Sequence, residues 1–98
     1  MLTRVVKMTF LPEHTDTFIR LFDEHKLLIV SFPGCQKLEM HRDLNNPLIF
    51  FTISRWNSPE DLEQYRKSEL FAQVWKQTKA LFAEKAEAWS MQHHFISK

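Results

Sequence analysis

PLIFFTISRW, residues 47–56, is the stretch on which the reading of this chain turns. Successive side chains of an extended backbone point to opposite faces, so a half-buried strand alternates apolar with polar residues. Here Ile49, Phe51 and Ile53 share one face. Leu48, Phe50 and Trp56 share the other, with Thr52 and Ser54 between them. Both faces carry bulk, so both need a cover. LNNP (44–47) forms the turn before it from side chains that bond their own backbone. CQKLEMHRD (35–43) reads as a second strand, with Leu38 and Met40 on one face and Lys37, Glu39 and His41 on the other. The two are expected to pair as a hairpin, in which Glu39 and Arg55 could form an ion pair.

On the N-terminal side, FPG (32–34) ends an element, since Pro33 removes a donor and Gly34 turns cheaply. Residues 13 to about 30 read as a helix, with Phe18, Phe22, His25 and Ile29 at the helical step and Leu21 and Leu28 widening the stripe. TRVVKMTF (3–10) is a strand with Val6, Met8 and Phe10 on one face and Val5, Lys7 and Thr9 on the other. On the C-terminal side, Ser58, Pro59 and Asp61 spell a helix start. Ser68 caps again or permits a kink, and Phe71, Val74, Trp75, Thr78, Leu81 and Phe82 make the stripe of a longer helix. AWSMQHHF (88–95) is the last strand, with Trp89, Met91 and His93 on one face and Phe95 extending it.

The order is β-α-β-β-α-β, an α+β ferredoxin-like arrangement with an antiparallel sheet and helices on one face. The uncovered face predicts a homodimer in which a second copy shields the apolar side of the sheet.

The composition fits this. Residues 1–98 suit a single domain. The net charge is +1, with Lys and Arg interleaved with Asp and Glu, so no basic stripe argues for nucleic acid. No apolar run reaches membrane-spanning length, and MLTRVVKMTF is too short and polar for a secretory signal. A cytoplasmic location is expected. Cys35 is the only cysteine and follows Gly34 at a strand start, where it reads as a small packed hydrophobe. No metal site is expected, because zinc spacings and H-E-x-x-H are absent and His93 and His94 diverge on a strand. No flavin or nicotinamide motif is present, so no cofactor is expected.

The blocks FPGCQKLEMHRD and PLIFFTISRWNSPEDLEQYRKSELFAQVWKQTKALF resemble the antibiotic biosynthesis monooxygenase family. The matching features are Gly34-Cys35, Arg42-Asp43, Trp56-Asn57-Ser58 and YRKSELF at 65–71, and the resemblance covers nearly the whole chain. It implies a dimeric α+β barrel and, among the family's activities, cofactor-independent oxygenation of quinols or polyketide aromatics. Haem-degrading members carry an Asn, a Trp and a His where this chain has Lys7, Tyr65 and Trp75. Trp cannot ligate a haem iron, so haem degradation is not implied. A His found in other members is replaced by Leu70.

A site is expected between the sheet and its helices. His25 reads either as a histidine satisfied at the core edge or as a general base. Tyr65 reads as a donor to a bound oxygen or a structurally satisfied hydroxyl. Phe71 and Trp75 read as core side chains whose flat faces could also hold an aromatic substrate. Lys7 either snorkels from the sheet or binds an anionic group. Catalytic roles are thus expected for His25 and Tyr65, and substrate binding for Lys7, Phe71 and Trp75. The alternative is a non-catalytic dimer that binds a small hydrophobic molecule.

Overall fold

A computed structural model describes all residues, 1–98. Its strands are β1 (Leu2–Thr9), β2 (Cys35–Arg42), β3 (Ile49–Trp56) and β4 (Glu87–Gln92). Its helices are α1 (Thr15–Val30), α2 (Pro59–Arg66) and α3 (Glu69–Lys79), with a short 3-10 turn at Pro12–His14 before α1. All strand pairs are antiparallel and the sheet order is β2-β3-β1-β4. This is the ferredoxin-like topology read from the sequence.

The closed α+β barrel is not what the chain forms. Its sheet is open, with β2 and β4 as edges separated by the two central strands. Closure requires the edge strands to pair with a consistent stagger, and four strands stacked on one layer of helices leave those edges far apart.

The hairpin forms as expected. Leu38 lies opposite Ser54, and Met40 opposite Thr52. Asp43 Oδ2 accepts from the backbone N–H groups of Asn45 (3.0 Å) and Asn46 (2.8 Å), and Asn46 Oδ1 accepts from Leu48 N–H (3.0 Å). The turn is thus built by side chains. Glu39 does not pair with Arg55. It lies opposite Ile53 and takes Lys37 (3.5 Å) and His41 (3.0 Å) instead, while Arg55 faces Lys37 and its Nε is buried without a partner.

The second helical region breaks at Lys67–Ser68. Ser58 Oγ caps α2 through Asp61 N–H (3.2 Å), and Ser68 Oγ caps α3 through Phe71 N–H (3.1 Å). α3 stops at Lys79, before Leu81 and Phe82. Those residues instead join the end of β1: Leu11 N–H donates to Leu81 O, Ala83 N–H donates to Thr9 O, and Phe10 bridges Phe82. β4 ends at Gln92, so Phe95 extends no strand and is 84% exposed. Gly34 has φ +89°, and a Cβ there would collide with the Asp61 side chain, so glycine lets the β2 entry press against α2.

Even-numbered residues of β1 and β3 face the helices. Met8, Phe10, Phe18 and Phe50 form one buried cluster, and Leu2, Trp56 and Leu62 another. The opposite face carries Val5, Ile49, Phe51, Ile53, Trp89 and Met91, none of them fully buried. No helix is long and apolar enough to cross a membrane.

Candidate functional site

Between the two buried clusters the layers do not close up, leaving a cavity of about 320 Å³. Its floor is the inner face of the sheet: Arg4, Val6 and Met8 from β1, Leu38 from β2, and Thr52, Ser54 and Trp56 from β3. Phe18, Phe22 and Ile29 of α1 form one wall; Tyr65 and Arg66 of α2, with Phe71, Val74 and Trp75 of α3, form the other. Of its 19 lining residues 14 are hydrophobic, the composition of a small-molecule pocket with a few convergent polar groups.

The wall is a train of rings. Trp56 stacks on Tyr65 (5.1 Å, 27°), Tyr65 meets Phe71 edge-on (5.2 Å, 78°), and Phe71 stacks on Trp75 (5.8 Å, 12°). Trp75 in turn meets Phe82 edge-on (5.7 Å, 75°). Each ring limits the rotation of the next, so the wall is preorganised. The break between α2 and α3 makes this possible: Tyr65 lies in the last turn of one helix and Phe71 in the first of the next, and the Ser68 hydroxyl ties them by donating to Tyr65 O (2.6 Å) while accepting from Phe71 N–H.

The polar groups differ in availability. Trp56 Nε1–H is used by Ser54 Oγ (2.9 Å), and the Thr78 hydroxyl donates to Val74 O (2.7 Å). The Tyr65 hydroxyl makes no hydrogen bond within the chain. Burial pushes its pKa up to about 12, with a further rise from the negative charge of the nearby Cys35 once that thiol ionises. It is therefore a neutral donor at physiological pH. Burial also raises the pKa of Cys35, which keeps it a thiol packed against Leu2, Trp56 and Leu62 rather than a nucleophile.

Arg4 is half-buried, and its one partner is Ser90 Oγ (2.9 Å) across the β1–β4 pair. Burial holds its pKa below the usual guanidinium range; the charge of Arg66 lowers it further and Glu63 partly restores it. Arg66 is exposed at the rim, with a loose 3.7 Å contact to Glu63.

Of the residues expected at the site, Tyr65, Phe71 and Trp75 come together in this lining and His25 and Lys7 do not. His25 donates Nδ1–H to Leu21 O in its own helix (2.8 Å), and it lies outside the cavity because it is at the edge of the α1 stripe. Lys7 is on the outer face, between Phe51 and Glu87, because its odd position turns it away from Val6 and Met8. Arg4, Arg66 and Trp56 line the cavity and were not among the expected site residues. A signal for Arg4 was available: it is two residues before Val6, hence on the same strand face.

A model of the family described as antibiotic biosynthesis monooxygenase matches residues 1–77. No curated protein matches the chain. Among solved structures, a conserved protein from Methanosarcina mazei Go1 superposes with a TM-score of 0.89 at 21% identity, covering 96% of this chain and 94% of the other. Rv0793 from Mycobacterium tuberculosis gives 0.90 at 12% identity, covering 99% and 98%. SnoaB, a cofactor-independent oxygenase from Streptomyces nogalater solved as a mutant, gives 0.86 at 15% identity, covering 97% and 94%. At these identities the likeness is one of fold.

Proposed function

Since the chain belongs to the antibiotic biosynthesis monooxygenase family, we propose that it is a cofactor-independent monooxygenase for a small electron-rich aromatic of the phenol or hydroquinone type. The observation that carries this reading is the unpartnered, neutral Tyr65 hydroxyl set in an apolar cavity walled by Trp56, Phe71 and Trp75. The aromatic wall holds the substrate ring by stacking. The substrate loses its phenolic proton to solvent at the rim, because no imidazole or carboxylate lines the cavity. The resulting anion is the reductant. It gives an electron to dioxygen, the radical pair combines to form a ring C–O bond, and loss of water leaves a quinone from a phenol or a hydroxylated quinone from a hydroquinone. One oxygen atom enters the product and the other leaves as water. Tyr65 donates a hydrogen bond to the oxygen on which negative charge gathers, and the dry walls strengthen that bond.

The test is oxygen uptake with a panel of hydroquinones, with labelled dioxygen and mass spectrometry of the product. One labelled atom per product molecule is expected. Binding without protein-dependent uptake would make the chain a module that holds a hydrophobic ligand and would end the oxygenase reading.

The outer sheet face is proposed as the surface on which a second copy docks. Trp89, Val5 and Ile53 form one cross-strand row ending at Glu39, and the next row reads Glu87, Lys7, Phe51, His41. An apolar centre flanked by both charge signs suits a twofold contact. Trp89 is 45% exposed in the isolated chain, so Trp89→Glu spares the fold and places a charge at the contact. Sedimentation should show a dimer for the native chain, and for the variant a dissociation constant raised by about 30-fold or more. A native monomer at the highest concentrations would remove the proposal.

A further inference from the structure

Arg4 is the one charged side chain on the cavity floor, and Glu63, the acidic group that acts on it, offsets its charge only in part. The strands place it there by parity: Arg4 shares the inner face with Val6 and Met8 and lies opposite Ser54 on one side and Ser90 on the other. Ser90 Oγ takes a single N–H of the guanidinium and so orients it. No carboxylate forms an ion pair with it. The second guanidinium of the lining, Arg66, stands at the rim, where Glu63 holds it only at 3.7 Å. A half-buried cation beside a second cation costs free energy in the empty cavity. A ligand anion recovers that cost, and a planar guanidinium fork suits a carboxylate.

We propose that Arg4 of the floor and Arg66 of the rim form an anion subsite in the cavity, and that the guest is an aromatic acid whose ring lies against Tyr65 and Trp75 while its carboxylate meets the two guanidinia. The charges favour a monoanion: two guanidinia less the Glu63 carboxylate leave a single positive charge. The inference rests on the oxygenase reading for the rest of the substrate, since the same ring is the one oxidised. It does not rest on that reading for binding. The subsite also sets the orientation of the guest.

The test is tryptophan-fluorescence titration of the full chain with 2,5-dihydroxybenzoate and with hydroquinone, which differ by the carboxylate. The acid is expected to bind about 10-fold tighter or more, a charge-assisted contact contributing on the order of 1.5–3 kcal/mol, and the advantage should shrink as salt is raised. Arg4→Gln should remove most of that advantage by weakening the acid far more than hydroquinone, and Arg4→Lys should restore part of it. Arg66→Gln, at an exposed position, gives the same readout without disturbing the sheet and should lower the preference to a smaller degree. Equal affinity for the two probes, binding of neither, or equal weakening of both by Arg4→Gln and Arg66→Gln would overturn the subsite. Tight binding of the acid without oxygen uptake would leave the subsite standing and remove only the oxygenase; uptake without an acid preference would do the reverse.

Discussion

Replacing Phe10 with Ala should destabilise the protein by about 3–5 kcal/mol. Phe10 is completely buried and is the hinge of the core. Its ring stacks on Phe18 (4.3 Å, 24°), meets Phe50 edge-on (5.6 Å, 74°) and touches Phe82 (5.4 Å, 54°), so it joins β1, α1, β3 and the segment after α3. Truncation removes three ring contacts together and leaves a void among rigid aromatic neighbours that cannot collapse into it. A domain of this size has about 5–15 kcal/mol in total, so the variant stands near the edge of folding. The midpoint of thermal unfolding should fall by about 12 °C or more. Phe95→Ala is the control: that ring is 84% exposed, and its loss should stay within about 0.5 kcal/mol. A Phe10→Ala protein that unfolds within about 1 kcal/mol of the native chain in denaturant would mean that the core is not organised around this ring.

The role of Phe10 also shows where the sequence was readable. The parity of Val6, Met8 and Phe10 named the buried face of β1, and Phe50 and Trp56 named the helix-facing side of β3. Capping chemistry is local, so Ser58-Pro59 and Ser68 marked both helix starts. The end of α3 was not readable. Leu81 and Phe82 continue a helical stripe, and nothing local stops it. The chain leaves the helix because Thr9 O and Leu11 N–H, far away in sequence, take up the backbone of 81–83. Sheet closure was likewise beyond any periodicity. Periodicity gives strand faces, and whether two edges meet depends on stagger and neighbours.

The site divides in the same way. Tyr65, Phe71 and Trp75 meet in the cavity lining because their rings flank the Ser68 cap and pack on one another. His25 was drawn in by the helical step, but one residue at the edge of a stripe can turn along its own helix, and Leu21 O is there to receive it. Lys7 was drawn in by its apolar neighbours in sequence, whereas on a strand the immediate neighbours belong to the other face. Arg4 obeyed the same parity rule and was missed because a charge near a strand end resembles a solvated edge. What distinguishes the two is the packing of α2 and α3 over that strand face, which puts Arg4 in the cavity lining.

Replacing Tyr65 with Phe should lower turnover by about 10²–10³-fold while leaving the affinity for the aromatic ring almost unchanged, the signature of a donor that acts on charge developed during the reaction. The stacking partners are retained, since Trp56 and Phe71 meet the ring and not the hydroxyl. No intrachain hydrogen bond is lost, so stability at neutral pH should change little. Alkaline titration supplies an independent readout. The phenol ionises near its ordinary value of 10.0 in the unfolded chain but only at about 12 in the folded one. Between those values the folded state binds the extra proton, so this group's contribution to stability is complete below pH 10 and is lost as the pH rises through about 12. Tyr65→Phe should flatten that decline in urea unfolding measured across the window, whatever its effect on chemistry. A variant that shows the flattened alkaline profile yet turns over within about threefold of the native rate would confirm the buried phenol and refute its catalytic role; the cavity would then accelerate the reaction by holding the ring and excluding water alone.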